Sequence, residues 1–255
     1  MFTHTTNEDL VNDSTAIKCN TTGKKEKWID IDHSSFKFQF TKRWFFYRNM
    51  TTWSTFLPDR FSADQPWNVI QIGVFEGMDV TWCMQNLFSH PDSRVLAIDP
   101  WMGMNEKWTQ EKMEKVHERA IGNLRQWNNK IQMVRGFSQN ILKSLINQGS
   151  TTIKGKKVAV GEFDLVIIDG DHRWDFVLPD AEHALKLAKP GGWLLFDDVR
   201  NARKKRGMAH KGVRKFVDAH DSEVQLIWQH RHCDCFEKLP IPEPVIEEGV
   251  IDGDA

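Results

Sequence analysis

The sequence predicts an α/β protein built on a doubly wound, mostly parallel sheet of seven strands, with helices on both faces and an antiparallel hairpin at one edge. Three observations predict it. Apolar runs of strand length recur, helical periodicity fills the intervals between them, and the last two runs lie too close together for a helical crossover. The first five runs are NVIQI at 68–72, RVLAI at 94–98, IQMV at 131–134, DLVII at 164–168 and WLLF at 193–196. They are apolar on successive residues rather than alternate ones, as suits strands buried on both faces of a parallel sheet.

Residues 1–28 are polar without a sustained period and read as a flexible arm. A single domain is expected over 29–239, followed by an acidic disordered tail, 240–255, that has no Lys or Arg. After the first strand, Gly73-Val74-Phe75-Glu76-Gly77 makes a G-x-x-x-G turn that brings backbone close to a ligand or serves only as a turn. It lacks the glycine spacing of a dinucleotide fingerprint. Between Asn105 and Trp127, the residues Trp108, Val116, Ala120, Leu124 and Trp127 line one helical face. Gly136-Phe137-Ser138 leads from the third strand into the helix QNILKSLI. The segment 150–162 reads as an insertion, a hairpin or flap. In VLPDAEHALKLAK, Leu178, Ala181, Leu185 and Ala188 recur at helical spacing until Pro190-Gly191-Gly192 stops the helix. EVQLIWQH and DCFEKL form the antiparallel edge pair, and no internal repeat is found.

Composition narrows the function classes. With 255 residues, 40% hydrophobic and 27% charged, the chain supports one sizeable core. Its 34 basic residues nearly cancel 35 acidic ones, so no global charge points to nucleic acid or an anionic membrane. No apolar run spans a bilayer, and the first residues offer neither a basic nor an apolar segment, so the expectation is a cytoplasmic protein. Cys19, Cys83, Cys233 and Cys235 suggest reduced thiols rather than a disulfide framework or a zinc site. Eleven Trp against one Tyr is unusual and read as packing.

In a doubly wound sheet, ligands bind beyond the carboxyl ends of the strands. The second strand ends in Asp99-Pro100-Trp101, and an acid there either accepts from both ribose hydroxyls of an adenosine ligand or caps the next turn. Ser138 either meets an adenine edge or caps its helix. The ordered set VIQIGVFEGMDVTWCMQNLF, RVLAIDPW, VRGFSQNIL and FDLVIIDGDHRWDFVLPDAEHALKLAKPGGWLLFDDV resembles the class I S-adenosylmethionine-dependent methyltransferases, specifically methyltransferase family 24, with their Rossmann-like fold. The resemblance runs from about Arg43 to Phe216, including the aromatic lead-in RWFFYRNMTTW. It implies S-adenosyl-L-methionine as cofactor, held by Gln71, Gly73, Phe75, Glu76, Gly77, Asp99, Pro100, Ser138 and Asp169. Gly73 and Gly77 would line its methionine end, Asp99 its ribose, and Ser138 its adenine. Gln71 stands where the family commonly has Glu, and Asp79 where it commonly has Ser; an Asp facing the cofactor's carboxylate would repel it unless turned away or bonded to the amino group.

Asp169 ends the fourth strand, and Asp197-Asp198 end the fifth. Three convergent carboxylates repel one another, and a divalent ion is the simplest compensation: Mg²⁺, or Ca²⁺ or Mn²⁺. The structural alternative is that the pair caps a turn and Asp169 meets only the cofactor. His172 either acts with Asp169 as general base, since an unperturbed imidazole of pKa about 6.5 is largely neutral at pH 7, or packs against or hydrogen-bonds the cofactor. Trp174 reads as a lid, a stacking surface or packing. Arg200, Arg203, Lys204, Lys205, Arg206, Lys211, Arg214 and Lys215 form a basic segment over 200–215 beside the acceptor side. It suits an anionic acceptor, although a solvated face is the commoner explanation and nucleic acid is not favoured.

The sequence reading is therefore O-methylation of a small hydroxylated, anionic or sugar-like acceptor with divalent metal assistance, by a protein compatible with homo-oligomers. The alternatives are a metal-independent N- or O-methyltransferase and a non-catalytic protein that retains the fold.

Overall fold

The computed structural model describes residues 28–103, 105–200 and 209–240. The expected arm up to residue 27, the acidic tail from 241 and the basic residues Arg203, Lys204, Lys205 and Arg206 lie outside the described residues.

Two short helices, α1 (Trp44–Arg48) and α2 (Met50–Phe56), precede β1 (Asn68–Ile72). There follow α3 (Met78–Asn86), β2 (Arg94–Asp99), α4 (Gln110–Leu124), β3 (Ile131–Arg135) and α5 (Ser138–Gln148). A small hairpin, β4 (Ser150–Ile153) with β5 (Lys156–Ala159), leads into β6 (Phe163–Ile168), α6 (Trp174–Leu187), β7 (Ala188–Phe196) and α7 (Ala209–Ala219). The edge pair is β8 (Val224–His230) and β9 (Cys233–Lys238). The seven-stranded sheet has the order β3-β2-β1-β6-β7-β9-β8, with β9 antiparallel to both neighbours and the other pairings parallel.

The continuous apolar runs have the two-faced burial they imply. Val69, Val95, Ala97, Leu165, Ile167, Trp193 and Leu195 pack with α1 to α4 on one side. Their neighbours Ile70, Ile72, Leu96, Ile98, Val166, Ile168, Leu194 and Phe196 pack with α5, α6 and α7 on the other. The tryptophan excess is concentrated on the first side, where Trp53, Trp82, Trp101, Trp193 and Trp228 are buried. Cys83, Cys233 and Cys235 are buried free thiols.

Three elements differ from the sequence expectation or sharpen it. The helix expected from Asn105 begins only at Gln110, because Thr109 is its N-cap: its backbone is extended and its side chain accepts from the Lys112 N–H. Trp108 therefore belongs to the loop. α6 ends at Leu187, before the Pro190-Gly191-Gly192 expected to stop it: Ala188, expected on the helix, is already extended and paired to Phe163, so Pro190-Gly191-Gly192 lies inside β7, with an irregular register before Leu165. The insertion at 150–162 is the antiparallel hairpin β4–β5. Among the described residues no helix is long and apolar enough to cross a membrane.

Candidate active site

The strand ends meet at the turn after β1. Gly73 has φ +79°, and a Cβ there would lie 2.0 Å from the Asp169 carbonyl oxygen. The two chains approach so closely because the Asp169 N–H donates to Ile72 O at 2.9 Å while the Gly73 N–H donates to Ile98 O at 2.9 Å, binding the ends of β6, β1 and β2 together. Glycine is required here by backbone crowding. Asp99, at the end of β2, faces the same turn: its Oδ2 accepts the N–H groups of Val74 and Phe75, each at 2.9 Å, and its Oδ1 accepts that of Trp101 at 2.7 Å. Phe75 and Trp101 both have positive φ, at 51° and 39°, and the Trp101 indole N–H donates to Phe75 O at 2.9 Å. Bulky residues seldom hold this conformation, so the Asp99 bonds and the indole bond keep a strained pair of turns in register. Pro100 lies between them, half-buried, its carbonyl accepting from Arg135.

Glu76 points the other way. Its carboxylate accepts from the Thr41 N–H and hydroxyl and from Arg119 Nε, each at 2.6 Å, tying the glycine turn to the N-terminal segment and α4. The two positions that depart from the family pattern are partners. Gln71 Nε2 donates to Asp79 Oδ2 at 2.7 Å and to Gly73 O at 2.9 Å. Asp79 is buried, and its burial, with Asp197 and Asp99 nearby, pushes its carboxyl up to about 7.

The acids of β6 and β7 converge as the topology requires. Burial, followed by the neighbouring Asp197, Asp79 and Asp198 carboxyls, pushes Asp169 well above the usual carboxylate range. Asp197 accepts the Cys233 thiol at 3.3 Å. Asp198, 3% exposed and held at φ +53°, receives Arg48 Nη1 on both carboxylate oxygens at 3.0 Å. His172 Nε2 lies 3.4 Å from Asp198 Oδ2 and 3.9 Å from Asp169 Oδ1. Asp171 is a turn residue, bonded to Arg173.

These acids do not fit a divalent ion in this arrangement. Both oxygens of Asp198 face a guanidinium, Asp197 faces a thiol, and among the described residues no three His, Cys, Asp or Glu side chains are placed to hold one ion. Arg48 is the component sequence reasoning missed. It lies 150 residues from Asp198 within the aromatic lead-in, and no local pattern distinguishes it from a surface arginine.

Ser138 begins α5 but does not cap it; its hydroxyl donates to Asp180 on α6 at 2.8 Å. Burial pushes the Asp180 carboxyl up to about 7. Of the described basic residues, Lys211 and Lys215 lie over the Trp174 ring at 4.6 and 5.0 Å, and Arg200 pairs with Asp234. Trp174 is thereby a platform between α6 and α7. Met102 and Phe137, 42% exposed each, stand just beyond the adjacent ends of β2 and β3.

Residues 70–199 match a family model described as a methyltransferase domain. A structure from Clostridium thermocellum, described as an rRNA-methylase, aligns with a TM-score of 0.50 at 15% identity, over 72% of this chain and 92% of the other. The O-methyltransferase TomG from Streptomyces achromogenes, solved with SAM, aligns with a TM-score of 0.48 at 19% identity, over 70% of this chain and 75% of the other. No curated protein sequence matches.

Proposed function

Since the chain belongs to the methyltransferase-domain family whose model matches residues 70–199, we propose that it transfers the methyl group of S-adenosylmethionine to a hydroxyl oxygen of a small acceptor. Residues 29–239 act in this reading as one catalytic domain. The observation that carries it is the position of His172: its Nε2 lies between Asp169 and Asp198, on strand ends that adjoin the glycine turn.

The ends of β1, β2 and β3 would hold the cofactor. Asp99 would take the ribose hydroxyls, exchanging or sharing its bonds to the turn, and the exposed side chains of Met102 and Phe137 would offer apolar surface to the purine. Pro100 and Ser138 border that pocket, the serine holding Asp180 and α6 in place. Gly73, Phe75 and Gly77 shape the methionine end, and the Gln71–Asp79 pair receives its ammonium group. Glu76 serves by fixing the turn rather than by touching the cofactor.

The acceptor enters beside β6 and β7. His172 would take the proton of the acceptor's hydroxyl, and S-adenosylmethionine, when bound, would supply an electrophilic methyl whose carbon–sulfur bond is exchanged for the new carbon–oxygen bond, with neutral S-adenosylhomocysteine as the leaving product. The imidazolium is stabilised by the carboxylate of Asp198 3.4 Å away. Holding nucleophile and methyl in line supplies several kcal/mol of the barrier, on the order of 7 or more in well-oriented reactions. The divalent ion expected from sequence enters no step, for the reasons of fit given above. An anionic polymer is the weaker acceptor, because Lys211 and Lys215 are turned onto Trp174.

Calorimetry with S-adenosylmethionine and S-adenosylhomocysteine, followed by labelled methyl transfer to a panel of hydroxylated small molecules, tests the reading. Saturable binding of both, with transfer to oxygen, is expected. Absence of binding at millimolar concentration would leave a non-catalytic protein that retains the fold, and transfer only to nitrogen would reassign the acceptor.

A further inference from the structure

Charge balance at the acceptor side leads to an inference about Arg48. Asp79, Asp169, Asp197 and Asp198 gather at the ends of β1, β6 and β7, and three of them are less than 9% exposed. Buried carboxylates in such number either hold a proton, as the raised Asp79 and Asp169 carboxyls do, or need a positive partner, because each uncompensated charge costs roughly several kcal/mol of desolvation. A divalent cation is the usual inorganic answer. Here a cation is already part of the chain. Arg48, the last residue of α1, reaches the end of β7 and places one guanidinium nitrogen 3.0 Å from each oxygen of Asp198. Asp198 is held for this contact in a left-handed backbone conformation that a non-glycine residue adopts at some cost. Its Oδ2 is the atom that also faces His172 Nε2, at 3.4 Å.

We propose that Arg48 is the fixed cation of this site, standing where a divalent metal would otherwise bind Asp198, so that the reaction needs no metal and Arg48 acts as a positioning residue through Asp198 on His172.

Three consequences follow from the geometry. A guanidinium fills the oxygens an ion would coordinate, so the native chain has no divalent site there. Removing Arg48 leaves Asp198 beside Asp169 and Asp197 without its cation, and should create such a site. Any small cation that returns to that position should restore the orientation of Asp198 and with it the alignment of His172.

The inference about the ion rests on the arrangement of carboxylates alone; the inference about His172 rests on the proposed methyl transfer. The experiment separates them. Mn²⁺ is titrated into the chelator-treated full chain and into Arg48→Ala and Arg48→Lys, following bound ion by calorimetry and by electron paramagnetic resonance. The parent should show no saturable site up to about 1 mM, and Arg48→Ala should gain one at least tenfold tighter. A saturable parent site that Asp198→Asn removes would overturn the proposal, as would an Arg48→Ala variant that binds no more Mn²⁺ than its parent.

The second measurement is turnover. The parent should be indifferent to EDTA. Arg48→Ala should lose on the order of a hundredfold in kcat with little change in the KM for S-adenosylmethionine, the scale of a lost charge-assisted hydrogen bond. Millimolar guanidinium, or Mg²⁺, should restore part of that loss, an effect that a merely structural role would not produce. Parent activity abolished by EDTA, or no rescue by either cation, overturns the positioning role. If Arg48→Ala does not fold, Arg48→Lys carries both measurements: its single ammonium should keep the Mn²⁺ site closed while turnover falls.

Discussion

Gln71 and Asp79 form a buried pair, with Gln71 Nε2 donating to Asp79 Oδ2 at 2.7 Å across the turn between β1 and α3. Each is unusual alone: an amide at the end of β1 and an acid at the start of α3. Together they place one negative charge, held by a neutral donor, where the proposed cofactor's ammonium group would lie. The carboxyl is costly to keep there without that cation, which is why burial raises its pKa to about 7.

This cost gives a prediction with opposite signs for stability and binding. In the folded chain Asp79 keeps its proton up to about pH 7, whereas unfolded it releases it near 3.8. Between those values the folded state binds more protons, so stability falls as pH rises through this window, by up to about 4 kcal/mol from this group. Asp79→Asn removes the dependence. Thermal melts of the free protein should find the variant more stable than its parent at pH 8 and the difference closing towards pH 4, while calorimetry should find S-adenosylmethionine bound about 10- to 100-fold more weakly. A variant less stable than its parent at pH 8 would contradict the assignment.

The fold was legible because burial on both faces of a parallel sheet writes continuous apolar runs, and Val69 to Ile72 or Leu165 to Ile168 can be read without tertiary knowledge. Asp99, Asp169 and Asp197-Asp198 were legible as rim residues for the same reason, since each directly ends such a run. What bound the acids was not. Arg48 meets Asp198 from 150 residues away, and Cys233 meets Asp197 from 36 away, on an edge strand whose own pattern reports only packing. The partners of Glu76 were not legible either: adjacency to a glycine turn does not tell which way a side chain points, and the carboxylate meets Thr41 and Arg119. Ser138 likewise has a hydroxyl already committed to Asp180.

His172 carries the second prediction. Its neighbours are the carboxylates of Asp169 and Asp198, on the proposed acceptor side, and the bonds that shape the glycine turn proposed for the cofactor involve Asp99, Gln71 and Gly73. His172→Ala should therefore lower kcat by about 10²- to 10⁴-fold, the range of general base catalysis, and change the dissociation constant of S-adenosylmethionine less than about threefold. Steady-state kinetics beside calorimetry checks both, and equal losses in the two would show that the imidazole holds the cofactor.

Asp99 should behave in the contrary way. It anchors three backbone N–H groups of the turns around the proposed ribose site, so Asp99→Asn retains shape but halves the acceptor capacity of the side chain. Binding of both S-adenosylmethionine and S-adenosylhomocysteine should weaken about 10- to 100-fold, as for one or two charge-assisted hydrogen bonds. Equal loss for the two ligands, measured by calorimetry, distinguishes ribose recognition from any effect at the sulfonium.

The sharpest test of how the strand ends are joined compares two glycines. At Gly73 a methyl group would lie 2.0 Å from the carbonyl oxygen of Asp169, and φ is +79°. The obstacle is backbone, so no rotamer change relieves it; β1 and β6 must separate where the hydrogen bond from Asp169 N–H to Ile72 O joins them. Gly73→Ala should cost at least about 3 kcal/mol, combining overpacking with a disfavoured left-handed alanine, which in a domain of this size lowers Tm by roughly 6–12 °C. It should also displace Asp169 and thus impair turnover in whatever folded fraction remains. Gly122 lies within α4 with nothing within 4 Å of its hypothetical Cβ. There the same substitution adds helix propensity and should stabilise the protein by about 0.5–1 kcal/mol. Thermal melts of both variants under one condition make the comparison, and a Gly73→Ala protein as stable as its parent would mean that the close crossing of β1 and β6 does not hold the site together.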